Sequence, residues 1–452
     1  MESSSNPVLA RRRAGVLLHV SSLPAGLARG GRAFIDWLAS AGFTVWQVLP
    51  LGPPGSDGSP YWVRSDSAGN AALIDPQEPA PLYSSEFQAF QHTARDWLED
   101  YAAFEVLSSL NHNAPWWTWP EEYRDRLPAA MERLRREQAP ALRAIREQQF
   151  TFAWQWQRLH EYAKSRGIYL FGDVPFYVAP DSAETWSNRD QFQLDATGRA
   201  TAVAGVPPDY FSELGQLWGN PLYAWEVMRR DGFRFWRTRI HRQLQRVDLL
   251  RIDHFRALAA HWSVPAGAPD ARGGSWQPSH GRELLQMLKN EFETLPLVAE
   301  DLGVITPDVE SLRRDFGLAG MRVMQFGFDG KGDNVHLPHM YERASVAYTG
   351  THDNDTTVGW YNHLDGQTQR RVDYFLRAGP GQMPQPMIHA LMGSVAQLAV
   401  VPMQDLLGLD SRARLNTPGT VAGNWTWRLP EESLTAELAQ HLTLLNRVFG
   451  RA

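Results

Sequence analysis

The sequence predicts an α/β protein built on a parallel (β/α)8 barrel, and three observations carry that expectation. Short apolar, β-branched runs recur along the chain, longer amphipathic segments with helical spacing separate them, and the runs end in polar or acidic residues. Strands buried on both faces lose polar alternation, and strand after helix after strand is the unit of a parallel sheet. A doubly wound sheet of six or seven strands is the competing reading of the same pattern.

The elements follow in order. Residues 15–20 form the first run and 45–51 the second, with Phe34, Trp37, Leu38 and Ala41 between them at the i, i+3, i+4, i+7 spacing of one helix face. The third run, 168–174, follows a segment that places Phe152, Trp156, Leu159 and Ala163 on one side. The fourth, 247–252, follows the segment 225–246, and these two runs stop at Asp173 and Asp253. The fifth, 297–299, comes after Leu284, Met287, Leu288 and Phe292 and stops at Glu300; Thr306-Pro307 then reads as N-cap and first helical residue. Residues 321–328, 346–349 and 398–403 complete eight. Arg11-Arg12-Arg13 before an apolar run resembles a signal peptide, but the run breaks at His19 without a convincing cleavage site, so it reads as the first buried strand.

The expected organisation is one barrel domain over residues 1–452. A helical subdomain is inserted at 55–149, with a charged helical stretch over 121–149, and a lid or substrate-binding segment at 175–225, since neither connection is short enough to be a simple loop. Trp46 and Trp225 lie within or beside apolar periodic runs and read as core packing.

Composition removes several function classes. With 43% hydrophobic and 21% charged residues the 452-residue chain is ordinary globular material rather than disordered. No stretch approaches the run of about 20 uncharged apolar residues that a membrane helix needs. The absence of cysteine excludes disulfides, a thiolate nucleophile and sulfur-bound zinc, and implies the cytoplasm. A net charge of -6 with both signs interspersed argues against nucleic acid. The 18 Trp fill a core or stack on flat apolar partners, depending on where they lie.

In a (β/α)8 barrel the C-terminal strand ends build the active site, and here they carry Asp173, Asp253, Glu300, His352, Asp353 and Asp405. Carboxylates converging from the fourth, fifth and seventh strands suit glycosyl transfer: an oxocarbenium-like transition state wants negative charge beneath the sugar carbon and a protonated acid at the leaving oxygen. Arg251 shares the strand face of Asp253, where its cation would pair with the ionised carboxylate. Glu300 follows Leu-Val-Ala, an apolar setting that favours its protonated form. On pattern alone each carboxylate also reads as a strand-end charge facing water. Asp253-His254 and His352-Asp353-Asn354-Asp355, with His336 and His339, hold enough donors for a metallohydrolase, but the His-x-His usual at the first strand end is missing.

Arg251-Ile252-Asp253-His254-Phe255-Arg256, Ala299-Glu300-Asp301-Leu302-Gly303 and 348–357, Tyr-Thr-Gly-Thr-His-Asp-Asn-Asp-Thr-Thr, resemble in order and spacing the catalytic segments of the 4-alpha-glucanotransferases, or amylomaltases, of the alpha-amylase superfamily. So do Trp46-Gln47-Val48-Leu49-Pro50, Ser59-Pro60-Tyr61, Gly172-Asp173-Val174-Pro175, the stretch 205–212, Trp218-Gly219-Asn220-Pro221 and Gly423-Asn424-Trp425. The resemblance implies Asp253 as nucleophile, Glu300 as general acid/base and Asp353 as the carboxylate that grips sugar hydroxyls. Arg251, His352 and Asp173 would support the same sugar site, with Tyr61, Tyr210, Phe211 and Trp218 as aromatic and lid contacts. It implies maltooligosaccharides and starch- or glycogen-derived alpha-glucans as partners, with no nucleic acid or membrane, and no metal or organic cofactor. The alternative is a retaining alpha-glucan hydrolase. Departures from the family pattern stand at residues 25–33, a shortened loop, at Arg64-Ser65-Asp66, at Leu214 and Leu217, and at Met340.

Overall fold

The computed structural model describes residues 6–208, 213–420 and 422–452. Eight parallel strands close into a barrel, numbered here β1 (Arg13–Leu17), β2 (Val45–Gln47), β3 (Tyr169–Val174), β4 (Leu249–Ile252), β5 (Leu297–Ala299), β6 (Ala319–Val323), β7 (Ser345–Tyr348) and β8 (Leu398–Pro402). Each strand pairs with its neighbours in sequence, and β8 closes on β1 through Arg13↔Leu398 to Leu17↔Pro402. The eight expected runs are these eight strands, and their closure removes the open-sheet reading.

Strand period explains the two cores. Leu17, Val45, Phe171, Leu249, Val298, Met321, Val346 and Leu398 form one cluster in the lumen, while Val16, Trp46, Leu170, Leu250, Leu297, Ala347 and Ala399 belong to the cluster shared with the surrounding helices. Both sides are dry, so every residue of β1, β4, β7 and β8 is buried. At Gly172 of β3 a Cβ would stand 2.8 Å from Cγ1 of Val247, so only glycine lets the chain entering β4 lie this close. Trp46 is fully buried, with Nε1 donating to the Leu18 carbonyl at 2.8 Å, and Trp225 is buried too. Trp116, Trp186 and Trp236 are likewise enclosed, so much of the tryptophan is core.

Between β2 and β3 lie helices Ser85–Thr93, Arg95–Leu110, Glu121–Arg124, Pro128–Glu137 and Ala139–Ser165. The last four pack around an apolar cluster of Tyr101, Phe104, Leu107, Trp116, Trp119, Met131 and Leu142, completed by Ala183 and Trp186 from the far side of β3. The helix Ala139–Ser165 is continuous: its first half packs in this cluster and its second half, with Phe152, Trp156, Leu159 and Ala163, packs on the barrel. After β3 the chain forms helix Ala183–Ser187 and then the hairpin Ala202–Val206 with Gln216–Pro221. Two strands after β4, Ala260–Pro265 and Ser275–Pro278, extend that hairpin into a four-stranded antiparallel sheet. Sequence reading places nothing there, because these strands are short and patterned as loops. Among the described residues no helix is long and apolar enough to cross a membrane.

Candidate active site

β4 delivers the first charged groups. Arg251 and Asp253 leave the strand on the lumen side, and Nη2 of Arg251 contacts Oδ1 of Asp253 at 2.7 Å. Nη1 of the same guanidinium reaches Oδ2 of Asp173 at 2.7 Å, and Nε lies 3.3 Å from Sδ of Met321. One buried cation thus spans two carboxylates on neighbouring strands. Burial works against its charge, but Asp173 and Asp253 together hold Arg251 well above its ordinary value. The side chain of Asp173 is fully enclosed, whereas that of Asp253 is 31% exposed and open to the cleft.

β5 delivers Glu300. The ends of β4 and β5 are linked by main-chain bonds, Glu300 N–H to the Ile252 carbonyl at 3.1 Å and Phe255 N–H to the Glu300 carbonyl at 3.2 Å. Oε2 of Glu300 accepts from the His254 backbone N–H at 2.7 Å and Oε1 from that of Leu302 at 3.0 Å. Burial pushes the Glu300 carboxyl up to about 8; the cation of Arg251 opposes that rise and the charge of Asp253 adds to it. Two carboxyl groups on adjacent strands therefore sit in different environments, one paired with arginine and one held near neutral pH by its enclosure.

β7 delivers the third carboxylate. Oδ2 of Asp353 lies 3.3 Å from Nε2 of His352, and Oδ1 accepts from Nδ2 of Asn416 at 2.6 Å. Its carbonyl accepts from Nη2 of Arg414 at 2.7 Å. The Asp353 side chain is 45% exposed, so it keeps a face for a ligand. Tyr61 bridges the two halves of the site. Its hydroxyl donates to Oδ2 of Asp173 at 2.7 Å, and its ring stacks on His352 with centroids 5.0 Å apart and planes 11° from parallel. Burial beside Asp173 raises the phenol well above its ordinary value, so it remains a donor.

The structure therefore links Asp253, Arg251, Asp173, Tyr61, His352 and Asp353 in one continuous network, with Glu300 joined through the β4 and β5 termini. Trp218 stands over His254, edge to face, with centroids 4.7 Å apart. Tyr210 and Phe211 lie outside the described residues. Asp405 is spent on structure: fully buried, it accepts from the hydroxyls of Thr349 and Thr357, both at 2.6 Å, and from the Thr357 N–H at 2.7 Å, fastening the loop that carries His352 and Asp353. Among the described residues no group of three or more His, Asp or Glu side chains is arranged to hold a metal.

Sequence reading assigns no role to Asn416 or Arg414, and names His254 only as a candidate metal donor and as part of a family segment, and Trp425 only as part of a family segment. Trp425 approaches Tyr61 at 6.2 Å and His352 at 6.0 Å from the loop after β8. The polar, Pro- and Gly-containing stretch Asn416-Thr417-Pro418-Gly419 beyond the last strand end was the available signal. Among the departures, Ser65 and Asp66 are buried in contacts with Glu184 and Arg239, while Leu214, Leu217 and Met340 are exposed.

Comparison with known proteins identifies the family. The sequence model of the family described as 4-alpha-glucanotransferase matches residues 18–83 and 77–435. A 4-alpha-glucanotransferase of Thermus thermophilus is 41% identical over 481 residues, covering 94% of this chain and 96% of that protein. One from Synechocystis sp. is 40% identical over 505 residues, covering 98% and 99%. Among solved structures, the amylomaltase from Streptococcus agalactiae in complex with acarbose superposes with a TM-score of 0.94 at 32% identity, covering 98% of this chain and all of that one. With carboxylates at the ends of β4, β5 and β7 of a closed barrel and a family match over nearly its whole length, this chain belongs to the 4-alpha-glucanotransferase family.

Proposed function

We propose that Asp253, Glu300 and Asp353 carry the reaction, with Arg251, His352, Asp173 and Tyr61 holding them. As a family member the chain transfers segments of alpha-1,4-glucan from one chain to another. The observation that supports the residue assignment best is the contrast between the two strand-end carboxyls: Asp253 is paired with Arg251 at 2.7 Å, while burial pushes Glu300 up to about 8.

Glu300 gives its proton to the glycosidic oxygen as Asp253 attacks the anomeric carbon. The C–O bond to the leaving sugar breaks and a C–O bond to Oδ of Asp253 forms, with inversion at that carbon. Glu300, now ionised, takes the proton from the 4-hydroxyl of an incoming glucan, whose oxygen displaces Asp253 with a second inversion, so configuration is retained. Asp353, exposed and steadied by Asn416 and His352, accepts hydrogen bonds from sugar hydroxyls that tighten as the ring flattens. Tyr61 and Trp218 offer apolar faces to the sugar chain and, with residues 206–218, favour a sugar acceptor over water. Maltooligosaccharides and starch- or glycogen-derived glucans are the substrates of this reading, in the cytoplasm, for which the cysteine-free composition speaks.

Incubating the purified chain with maltotriose without added metal, with Asp253→Asn as control, tests it. A ladder of longer oligosaccharides beside glucose is expected, and none from the variant, which still folds and binds sugar. Equal maltose and glucose with nothing longer would make the protein a retaining hydrolase, and an active Asp253→Asn would overturn the mechanism.

A further inference from the structure

The four-stranded sheet presents an aromatic surface that this chemistry leaves unused. Trp262 and Trp276 face each other in register on neighbouring antiparallel strands, so both side chains leave the same side of the sheet. Their rings meet edge to face, 5.2 Å between centroids and 69° between planes. Trp262 is pinned, with Nε1 donating to the Ala271 carbonyl at 2.9 Å. Trp276 is 40% exposed.

Trp276 is nevertheless rigidly held. The guanidinium of Arg256 lies over its ring, 3.9 Å from Cζ to the centroid. Arg256 is buried and donates through Nη1 to the Val304 carbonyl at 2.7 Å. Arg256 stands three residues after Asp253 and Val304 four after Glu300, so the loops leaving β4 and β5 are joined to each other and to this indole. An aromatic ring fixed on one side and open on the other stacks against the C–H face of a pyranose at little entropic cost.

We propose that Trp276, backed by Arg256, is a platform for the acceptor arm of a glucan chain, beyond the sugars held at the catalytic carboxylates. The inference rests on the glucanotransferase reading. In that reading Glu300 protonates the leaving sugar and later deprotonates the acceptor, so the loop that bears it faces both. A chain of several glucose units on that side runs out over the loop to which Arg256 fastens Trp276, and this continuity with the catalytic loops identifies the occupant as glucan.

The test is transfer kinetics on the full chain with maltotriose as donor and acceptors graded from glucose and maltose to maltoheptaose, for wild type, Trp276→Ala and Trp276→Phe. KM for maltoheptaose is expected to rise about five- to tenfold in Trp276→Ala, against less than about twofold for glucose, the size of effect one aromatic stack supplies. Trp276→Phe should restore most of it. The same KM change at every acceptor length overturns the proposal, as does an equal fall of kcat on glucose and maltoheptaose, which would mean that Trp276 only steadies Arg256 and the loop after Glu300. If wild type fails to act on maltotriose, the glucanotransferase reading falls separately. Calorimetric titration of maltoheptaose into Asp253→Asn with and without Trp276→Ala then decides the platform on binding alone, with weaker binding in the double variant supporting it and equal binding refuting it.

Discussion

The backbone N–H of His254 donates to Oε2 of Glu300 at 2.7 Å. The residue next to the proposed nucleophile thereby orients the proposed acid/base, and it does so from a left-handed conformation, φ 50°, that a residue with a side chain adopts at a cost. Its ring is held by Trp218 at 4.7 Å, and burial lowers its imidazole to about 4, so it is neutral at working pH and adds no charge between the two carboxyls. The loops leaving β4 and β5 are thus joined by a side-chain bond as well as by their main-chain bonds.

As the proposed acid/base, Glu300 should set the alkaline limit of activity. It donates its proton in the first step, so kcat/KM for maltotriose should fall as pH rises through about 8. Its folded value is raised, so its contribution to stability is full below the unfolded glutamate value and lost as pH climbs to about 8. Glu300→Gln should therefore be inactive, and its melting temperature relative to wild type should rise between pH 5 and pH 8, whatever it loses by offering one acceptor oxygen to the two backbone N–H groups that Glu300 accepts from. A difference between variant and wild type that falls over that range in calorimetric scans would contradict the assignment.

Tyr61→Phe removes the hydroxyl that donates to Oδ2 of Asp173 at 2.7 Å but keeps the ring stacked on His352. A hydrogen bond to a buried carboxylate is worth about 1.5–3 kcal/mol, so kcat/KM should drop roughly ten- to a hundredfold with KM little changed for the stacked sugar. An unaltered rate in steady-state assays would detach Tyr61 from the charge network.

Asn416→Ala frees Oδ1 of Asp353 from its 2.6 Å donor. In the proposed mechanism Asn416 positions Asp353, so kcat should fall about tenfold while the melting temperature stays within a few degrees of wild type, because the side chain of Asp353 is already 45% exposed. Inhibition by a transition-state-like sugar analogue should weaken in proportion to the loss of kcat, and unchanged inhibition would refute the role.

Stability has a separate anchor at the far end of the barrel. Fully buried Arg451 donates to the carbonyls of Met392 at 2.8 Å, Arg13 and Ala396 at 3.0 Å, and Ser394 at 2.9 Å. Burial lowers its pKa to about 9, and among the described residues no carboxylate pairs with it. Arg451→Met removes all four of these bonds, leaving Arg12 as the side-chain donor to the Ser394 and Met392 carbonyls, and should destabilise by about 3 kcal/mol in chemical denaturation, with kcat unchanged at temperatures where the variant is folded.

Much of this was readable before any coordinates. Burial on both faces writes itself into a strand as a continuous apolar run, which is why β1 to β8 stand out, and a strand of period two carries Arg251 and Asp253 to one side. Barrel geometry then converts strand order into proximity, so carboxylates at 253, 300 and 353 could be gathered from a linear text. Local pattern determines those facts because each depends on residues a few positions apart. The strands Ala260–Pro265 and Ser275–Pro278 were illegible, being short, with the first partnered by the strand Ala202–Val206 more than fifty residues upstream and the second added only to that pairing. Asp405 reads like its strand-end neighbours, and only the hydroxyls of Thr349 and Thr357 turn it into a fastener. Asn416 meets Asp353 across 63 residues, and the charge of Arg251 is shared with Asp173 across 78. Contacts of that span depend on how the closed barrel brings loops together over its rim. The sequence by itself determined the barrel and which carboxylates reach its mouth, and the tertiary structure alone decided which of them is paired, which is enclosed and which is left open to a sugar.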